Sequence, residues 1–379
     1  MIAETIFTLI AVVGTIITTA QAFLTAMIRR SGRPFAGGLR EQAYPQADSF
    51  ISILKPVCGL DDELEENLLS FVSLPGVDYE VILSVEDHAD AALPVLKTAV
   101  RDHPDVFRLV IGGGGTRQGV VNRKVERLIA AARVARGDIL LISDSNVRVQ
   151  PDDVARTIAA FSDARVGCVS NLFTGANART LGATVESLHL LSFVVGGTIL
   201  ASTAGIPCVV GKSMAISREA LRSIGGFEAF RNILAEDQAI GLAVREAGYE
   251  VVVSPVAVRN VVVRRTIRRA VDRQVRWNKI RYAFSRSLYA SEILLNPMPA
   301  AIAAAALGAP AALPLAVVLI RFAQVAILRR AMAAPAPLWA VPLLDALMLY
   351  AWFVPFFSNR VTWRGYEARI TRNTELVAA

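Results

Sequence analysis

From Ile6 to Met27 the chain runs without a charged side chain, and Arg29-Arg30 follow directly. A helix over such a run is long enough to cross a hydrocarbon core of about 30 Å. The run reads as a retained membrane anchor over residues 1–30 rather than a cleaved signal peptide. No charged segment precedes it, and no convincing small-x-small site closes it. Arg29-Arg30 place the following segment on the cytoplasmic side. Two more apolar stretches, Leu294–Leu328 and Pro337–Phe357, define a C-terminal transmembrane region over 291–358, with a cytoplasmic tail at 359–379. Prolines at 297, 299, 310 and 314 make the first of these irregular. The arginines of the tail favour two crossings there and leave three open; re-entrant packing of Ser291–Gly308 reconciles the counts. Composition agrees: 19% of residues are charged and 54% hydrophobic, against about 25% charged in soluble domains.

Between these ends, short apolar runs alternate with helical periodicity. Phe50–Leu54, Tyr79–Val85, Val106–Ile111 and Asp138–Ile142 read as strands, the last closing in Ser143-Asp144. Glu65–Val72, Ala91–His103 and Asn122–Ala135 read as helices, the last with Val125, Leu128, Ile129 and Ala132 on one face. Near-continuous apolar strands separated by helices imply a doubly wound, mostly parallel α/β sheet. Ligands then bind beyond the carboxyl ends of the strands. This domain is expected over residues 48–285, with interfacial helices.

The net charge of +7 gathers in Arg264–Arg286 and Arg360–Arg372, both beside apolar stretches. Anionic lipid and phosphate are therefore favoured partners, and nucleic acid is not, because no recognisable binding module is present. Cys58, Cys168 and Cys208 are isolated, which argues for a reducing compartment and against a zinc site.

Several residues carry candidate chemistry. Asp144, closing the most apolar strand, suits a hard divalent cation that bridges the phosphates of a nucleotide sugar, or else opens a turn. Asp87 could accept hydrogen bonds from a nucleoside or cap the next helix. Gly112-Gly113-Gly114-Gly115 lacks the Gly-Lys-Ser/Thr ending of a phosphate loop and reads as a connection. Asn122-Arg123-Lys124, at a helix start, makes a better diphosphate site. Glu236-Asp237 either favours a helix dipole or supplies a base. Val263–Arg281 reads as a basic amphipathic helix, with Ile267, Val271 and Val275 on one side and Arg269, Arg273 and Arg276 on another. Its arginines either snorkel toward headgroups or stabilise a departing diphosphate, with Trp277 lining an acceptor site. Thr180–Ile206, whose only ionisable side chains are Glu186 and His189, is either core or membrane-bound.

Taken in order, these residues resemble the ceramide glucosyltransferase family, inverting nucleotide-sugar transferases of the GT-A fold. The resemblance rests on Leu54-Lys55-Pro56 with Gly59 and Asp61, Glu86-Asp87-His88, Gly119 with Asn122 and Lys124, and Asp144-Ser145 with Arg148-Val149. It continues through Gly211 with Ser213, Ala235-Glu236-Asp237, Arg273 with Arg276-Trp277, and Thr362-Trp363-Arg364-Gly365-Tyr366. The family carries three aspartates followed by a [QR]-x-x-R-W motif. The resemblance implies that Lys55, Asp61, Asp87, Asn122, Lys124 and Glu236 surround the nucleotide sugar. It gives Asp144 the metal and diphosphate, makes Asp237 the general base, and puts Arg273, Arg276 and Trp277 in the catalytic machinery. Asn146, Arg123 and Gln238 depart from the family, which usually has glycine, proline and an aromatic residue there.

The expected protein is a multi-pass enzyme of a bacterial inner membrane with its catalytic domain toward the cytoplasm. It would move a hexose, glucose from UDP-glucose, to the hydroxyl of a lipid acceptor such as ceramide, with Mg²⁺ or Mn²⁺. Diacylglycerol or a hopanoid is the alternative acceptor. A membrane scaffold or transporter with a nucleotide-binding domain is the non-enzymatic alternative. Donor identity, processivity and oligomeric state are not encoded in any motif.

Overall fold

The computed structural model describes residues 1–32, 49–112, 122–363 and 366–378. The connection from Gly113 through Gly119, and Arg364-Gly365 of the tail motif, lie outside the described residues. The chain divides into two compact units, one comprising Gly32–Phe173 with Ala201–Val261, the other Met1–Ser31, Thr174–Leu200 and Val262–Ala379.

The first of these units is built on an eight-stranded sheet. Its strands are β1 (Ile51–Pro56), β2 (Tyr79–Val85), β3 (Phe107–Ile111), β4 (Ile139–Ser143), β5 (Val147–Arg148), β6 (Val166–Ala176), β7 (Ser213–Ser217) and β8 (Glu250–Val261), in the order β3-β2-β1-β4-β7-β6-β8-β5. The half β3-β2-β1-β4 is parallel, with Ile53 opposite both Val81 and Leu141. Every residue of β1 and β4 is buried, as expected of strands covered on both faces. β7 then pairs antiparallel to β4 and to β6, and β5 antiparallel to β8. The α/β class read from the sequence is therefore the one observed. The parallel half comes from the four strands the apolar runs mark, and the antiparallel strands add the far side.

The core packs the Arg123–Val134 helix, through Val125, Leu128 and Ile129, with Ile142 and Ile216 of the sheet and Ile240 of the Glu236–Glu246 helix. Glu80 is a buried charge in β2. It accepts from Ser52 (2.7 Å), from the Arg136 amide (2.8 Å) and from Arg108 (2.9 Å). Burial would raise its carboxyl, but these donors outweigh burial and hold it below the ordinary range.

Among the described residues, four helices are long and apolar enough to cross a membrane: Ile2–Ser31, Leu181–Thr203, Ala312–Met332 and Leu338–Phe356. The proline-rich stretch resolves into Pro297–Ala306 and Ala312–Met332. The former, ten residues long, reaches only about 15 Å at the helical rise, half the hydrocarbon thickness. Its Met298 and Ala301 pack with Ala11 of the N-terminal helix and Val317. Two polar contacts cross this bundle. Arg321 and Asp345 form a two-pronged ion pair at 3.1 and 3.0 Å, and Gln324 donates to Thr19 at 2.8 Å. Three short strands, β9 (Arg360–Trp363), β10 (Tyr366–Ile370) and β11 (Leu376–Ala378), close the chain in the order β11-β10-β9.

Candidate active site

Beyond the carboxyl end of β4, three lysines and three carboxylates meet. Asp144 receives Lys124 Nζ on Oδ1 at 3.0 Å and Lys212 Nζ on Oδ2 at 2.8 Å. Lys124 also contacts Glu236 at 2.9 Å and the Gly211 carbonyl at 3.2 Å. Burial would lower Lys124, but Asp144, Glu236 and Asp237 outweigh it, and its pKa is raised. The same balance lowers Asp144: burial opposes its charge, yet Lys124 and Lys212 prevail. Both groups therefore stay ionised across the physiological range.

Lys55 lies behind this cluster, fully buried in the last turn of β1. Its ammonium donates to the Asp144 carbonyl at 3.1 Å and to Ser143 Oγ at 3.3 Å, and sits 4.1 Å from the centre of the Phe71 ring. Burial pushes it down to about 7, partly offset by Asp144 and Asp61. Asp61 itself accepts from the hydroxyl of Ser145. That bond ties the loop after β1 to the turn after β4.

Asn122 is buried and caps the Arg123–Val134 helix, accepting from the Lys124 and Val125 amides. Its amide group donates to Glu236 at 2.9 Å and to the Ile233 carbonyl at 2.8 Å. The side chain thus aims Lys124 and Glu236, two of the residues the resemblance groups with it. Asp87 is exposed two residues past β2, with Oδ1 accepting from the Ala89 amide at 2.8 Å in a local turn. Its neighbour Glu86 pairs with Arg123 at 2.7 Å, so the arginine that departs from the family has a defined partner.

Asp237 stands at the start of the Glu236–Glu246 helix. Its Oδ2 accepts from the Gly211 amide at 2.5 Å and its Oδ1 from the Gln238 amide at 2.8 Å. Burial, reinforced by Glu236, pushes its carboxyl up to about 6 against Lys124 and the two amides. A carboxylate poised there can take up a proton near neutral pH. Gln238, another departure, holds the preceding loop by donating to the Pro207 carbonyl at 2.8 Å and accepting from Val209 at 3.0 Å. Asn146 has a similar use: its carbonyl accepts from Lys212 at 2.9 Å.

Lys212 carries no role in the sequence reading. A lysine one residue before an antiparallel strand is unremarkable until β7 is known to lie beside β4. Gly211 is explained by close approach, because a Cβ there would stand 2.8 Å from Lys124 Nζ and 3.0 Å from Asp237 Oδ2.

Arg273, Arg276 and Trp277 lie in the other compact unit, on the Ile267–Phe284 helix. Its buried face is Ala270, Arg273, Gln274, Asn278 and Lys279, while Ile267, Val271 and Val275 are half-exposed. Of the polar side, Arg273 turns inward with Gln274, Asn278 and Lys279, while Arg269 is exposed and Arg276 half-exposed. The physical reason is Glu186, buried on the Leu181–His189 helix, which pairs with Arg273 and, at 3.0 Å, with Arg265. Arg273 stacks 4.3 Å from the centre of the Trp277 ring, and His189 lies 6.1 Å from that ring.

Among the described residues, no group of three or more histidine, cysteine or carboxylate side chains is placed to hold a metal ion. Asp144 offers one carboxylate, with both oxygens on ammonium groups. That suits a cation only when substrate phosphates complete its shell, as with Mg²⁺ in nucleotide sites.

The sheet and the charged cluster at its strand ends define an α/β domain of the GT-A glycosyltransferase type. Residues 6–376 match the family model of Glycosyl transferase family 21, and the chain belongs to that family. Among curated proteins, Ceramide glucosyltransferase 1 of Caenorhabditis elegans is 27% identical over 252 residues, covering 64% of this chain and 52% of the worm protein. Ceramide glucosyltransferase 3 of the same organism is 26% identical over 252 residues, covering 66% and 54%. The chain thus spans about half the length of the curated relatives it matches. Among solved structures, a mannosyltransferase from Pyrobaculum calidifontis in complex with GDP-Man and Mn2+ superposes with a TM-score of 0.58 at 18% identity, covering 93% of this chain and 99% of that one. That likeness is one of fold.

Proposed function

We propose that the protein is a membrane-embedded inverting hexosyltransferase that moves glucose from UDP-glucose to the hydroxyl of a lipid, ceramide being the acceptor. The observation that carries this reading is the pairing of a proton-accepting Asp237 with a lysine cluster around Asp144 at the same strand ends. Family membership and the worm ceramide glucosyltransferases support the choice of reaction. The organisation that goes with it is an anchor at 1–30, a catalytic domain over 48–285 facing the cytoplasm, a transmembrane region over 291–358 and a cytoplasmic tail.

In this reading the diphosphate lies against Lys124 and Lys212. Lys55, Asp61 and Asp87 serve the nucleotide, and Asn122 and Glu236 hold Lys124 in place. Asp237 takes the proton from the acceptor hydroxyl as its oxygen bonds to the anomeric carbon. The bond from that carbon to the diphosphate oxygen breaks on the opposite face, UDP departs, and configuration inverts. A Mg²⁺ or Mn²⁺ ion held by Asp144 and the two phosphates would neutralise charge on the leaving group. Arg273, Arg276 and Trp277 are assigned to the leaving group and acceptor on the strength of their motif.

The test is an assay of purified membranes with several UDP-sugars, ceramide and diacylglycerol, the products being identified by mass spectrometry. Glucosylceramide formed from UDP-glucose is the expected result. Glycosyldiacylglycerol without glycosylceramide would overturn the acceptor assignment, and binding of UDP-sugars without any turnover would overturn the enzyme reading.

A further inference from the structure

Lys279 is a buried ammonium group without a counterion among the described residues. Its side chain is on the inward face of the Ile267–Phe284 helix, with 9% of the residue exposed. Its Nζ donates to Ser358 Oγ at 3.3 Å and to the Arg360 carbonyl at 2.5 Å, both neutral oxygens. Burial lowers its pKa, and no opposing charge offsets that. A buried cation held only by neutral acceptors is costly, and proteins usually pair it.

The space in front of it is a cleft of about 650 Å³, lined by Lys279, Tyr282, Arg286, Ser358, Asn359 and Arg372 among others. Among the described residues, no acidic side chain lines it. Arg286 and Arg372 are exposed and make no ion pair among the described residues; Arg286 rests 5.5 Å from the Tyr282 ring. Three cations therefore converge on one cavity with no carboxylate among them. The cleft lies at the end of an apolar helix: its lining residues Ser358 and Asn359 follow Leu338–Phe356, one of the candidate membrane spans, after Phe357. Phe357 is 84% exposed and Leu288 57% exposed nearby in the chain. A span end with exposed apolar side chains belongs at the headgroup level of a bilayer, where the available anions are lipid phosphates.

We propose that this cleft is a binding site for the phosphate of an anionic phospholipid headgroup, held by Lys279, Arg286 and Arg372. The phosphate supplies the missing countercharge of Lys279, and the two arginines give the headgroup its charge selectivity over zwitterionic lipid. The acyl chains run beside exposed Phe357, which precedes the lining residue Ser358 in the chain. Nothing in this proposal depends on which sugar or acceptor the protein uses.

The experiment uses the full chain reconstituted in nanodiscs of phosphatidylcholine, with or without phosphatidylglycerol, and reads thermal unfolding together with lipid retention by native mass spectrometry. Phosphatidylglycerol is expected to raise the unfolding temperature of the wild type and to be retained over phosphatidylcholine. The double variant R286Q/R372Q, altered only at exposed positions, should fold as before but lose that preference by about ten-fold or more. Lys279→Met, which removes the unpaired buried charge, should unfold no lower than the wild type in phosphatidylcholine and respond less to phosphatidylglycerol. Equal stabilisation of wild type and double variant by phosphatidylglycerol overturns the proposal. So does displacement of the lipid effect by millimolar inorganic phosphate in the wild type, which would make this a soluble-anion site.

Discussion

Gly211 donates its amide to Asp237 Oδ2 at 2.5 Å, and a Cβ built on Gly211 would stand 3.0 Å from that same oxygen. The glycine is thus both the donor that orients the carboxylate and the only residue small enough to approach it. It also brings its carbonyl to Lys124, so one backbone position touches the proposed base and the proposed diphosphate ligand. The Asn122 side chain does the same from the other side, capping the helix that carries Lys124 while bonding Glu236.

Asp237→Asn keeps an acceptor oxygen for one of the two backbone amides and cannot take up a proton. Sugar transfer should fall by about 10²–10⁴-fold, the usual worth of a general base, while UDP-sugar binding by calorimetry stays within a few-fold. Turnover within ten-fold of the wild type would remove Asp237 from the role of base.

The pH dependence follows from the raised carboxyl of Asp237. A base must be ionised, so kcat/KM should rise with pH through about 6 and then level off. The stability effect has the opposite sign. A carboxyl raised above its unfolded value favours the fold while protonated; that contribution is complete below the unfolded pKa of about 4 and is lost as pH rises through about 6. Asp237→Asn should therefore unfold at a higher temperature than the wild type at pH 7.5, with a smaller difference at pH 4.5. An acid limb that persists unchanged in any residual activity of the variant would assign the limb to another group.

Gly211→Ala places a methyl group against Lys124 and Asp237. Overpacking of this kind costs about 1–3 kcal/mol, and relief requires the carboxylate or the ammonium to move. Transfer should drop more than donor affinity, with a modest fall in melting temperature. A variant with wild-type kcat would show that the close approach is not needed.

Glu186→Gln keeps the shape of the side chain and removes the charge shared by Arg265 and Arg273. Breaking a buried pair costs about 3–5 kcal/mol, so unfolding in detergent should shift clearly downward. If Arg273 acts on the reaction, kcat should fall in the remaining folded enzyme, and donor KM should change little. Unchanged stability would mean that the buried guanidinium groups find other partners.

The parallel half of the sheet was legible because β1, β2 and β4 are covered on both faces, which leaves continuous apolar runs, although the edge strand β3 buries only Phe107. The N-terminal helix was equally plain, since a bilayer imposes length and freedom from charge. The Ile267–Phe284 helix was not legible in the same way. Its apolar spacing set Ile267, Val271 and Val275 on one side, but the buried face is the one carrying Arg273 and Lys279. Helical periodicity reports hydrophobicity, and it cannot register a buried carboxylate from a segment far away in the chain.

The sequence alone determined the kinds of residue available: three aspartates at the expected intervals, a helix-opening Asn122 and Lys124, and a basic aromatic motif between apolar stretches. Tertiary structure decided which of them share a charge. Lys212 becomes a partner of Asp144 only because β7 pairs antiparallel with β4, setting Ser143 opposite Ser213. Asn146 and Gln238, which looked like plain departures, acquire their uses as hydrogen-bond partners of Lys212 and of the Pro207 and Val209 backbone. Strand order is a long-range property, and the ion pairs of Asp144 follow from it; spacing along the chain fixes neither.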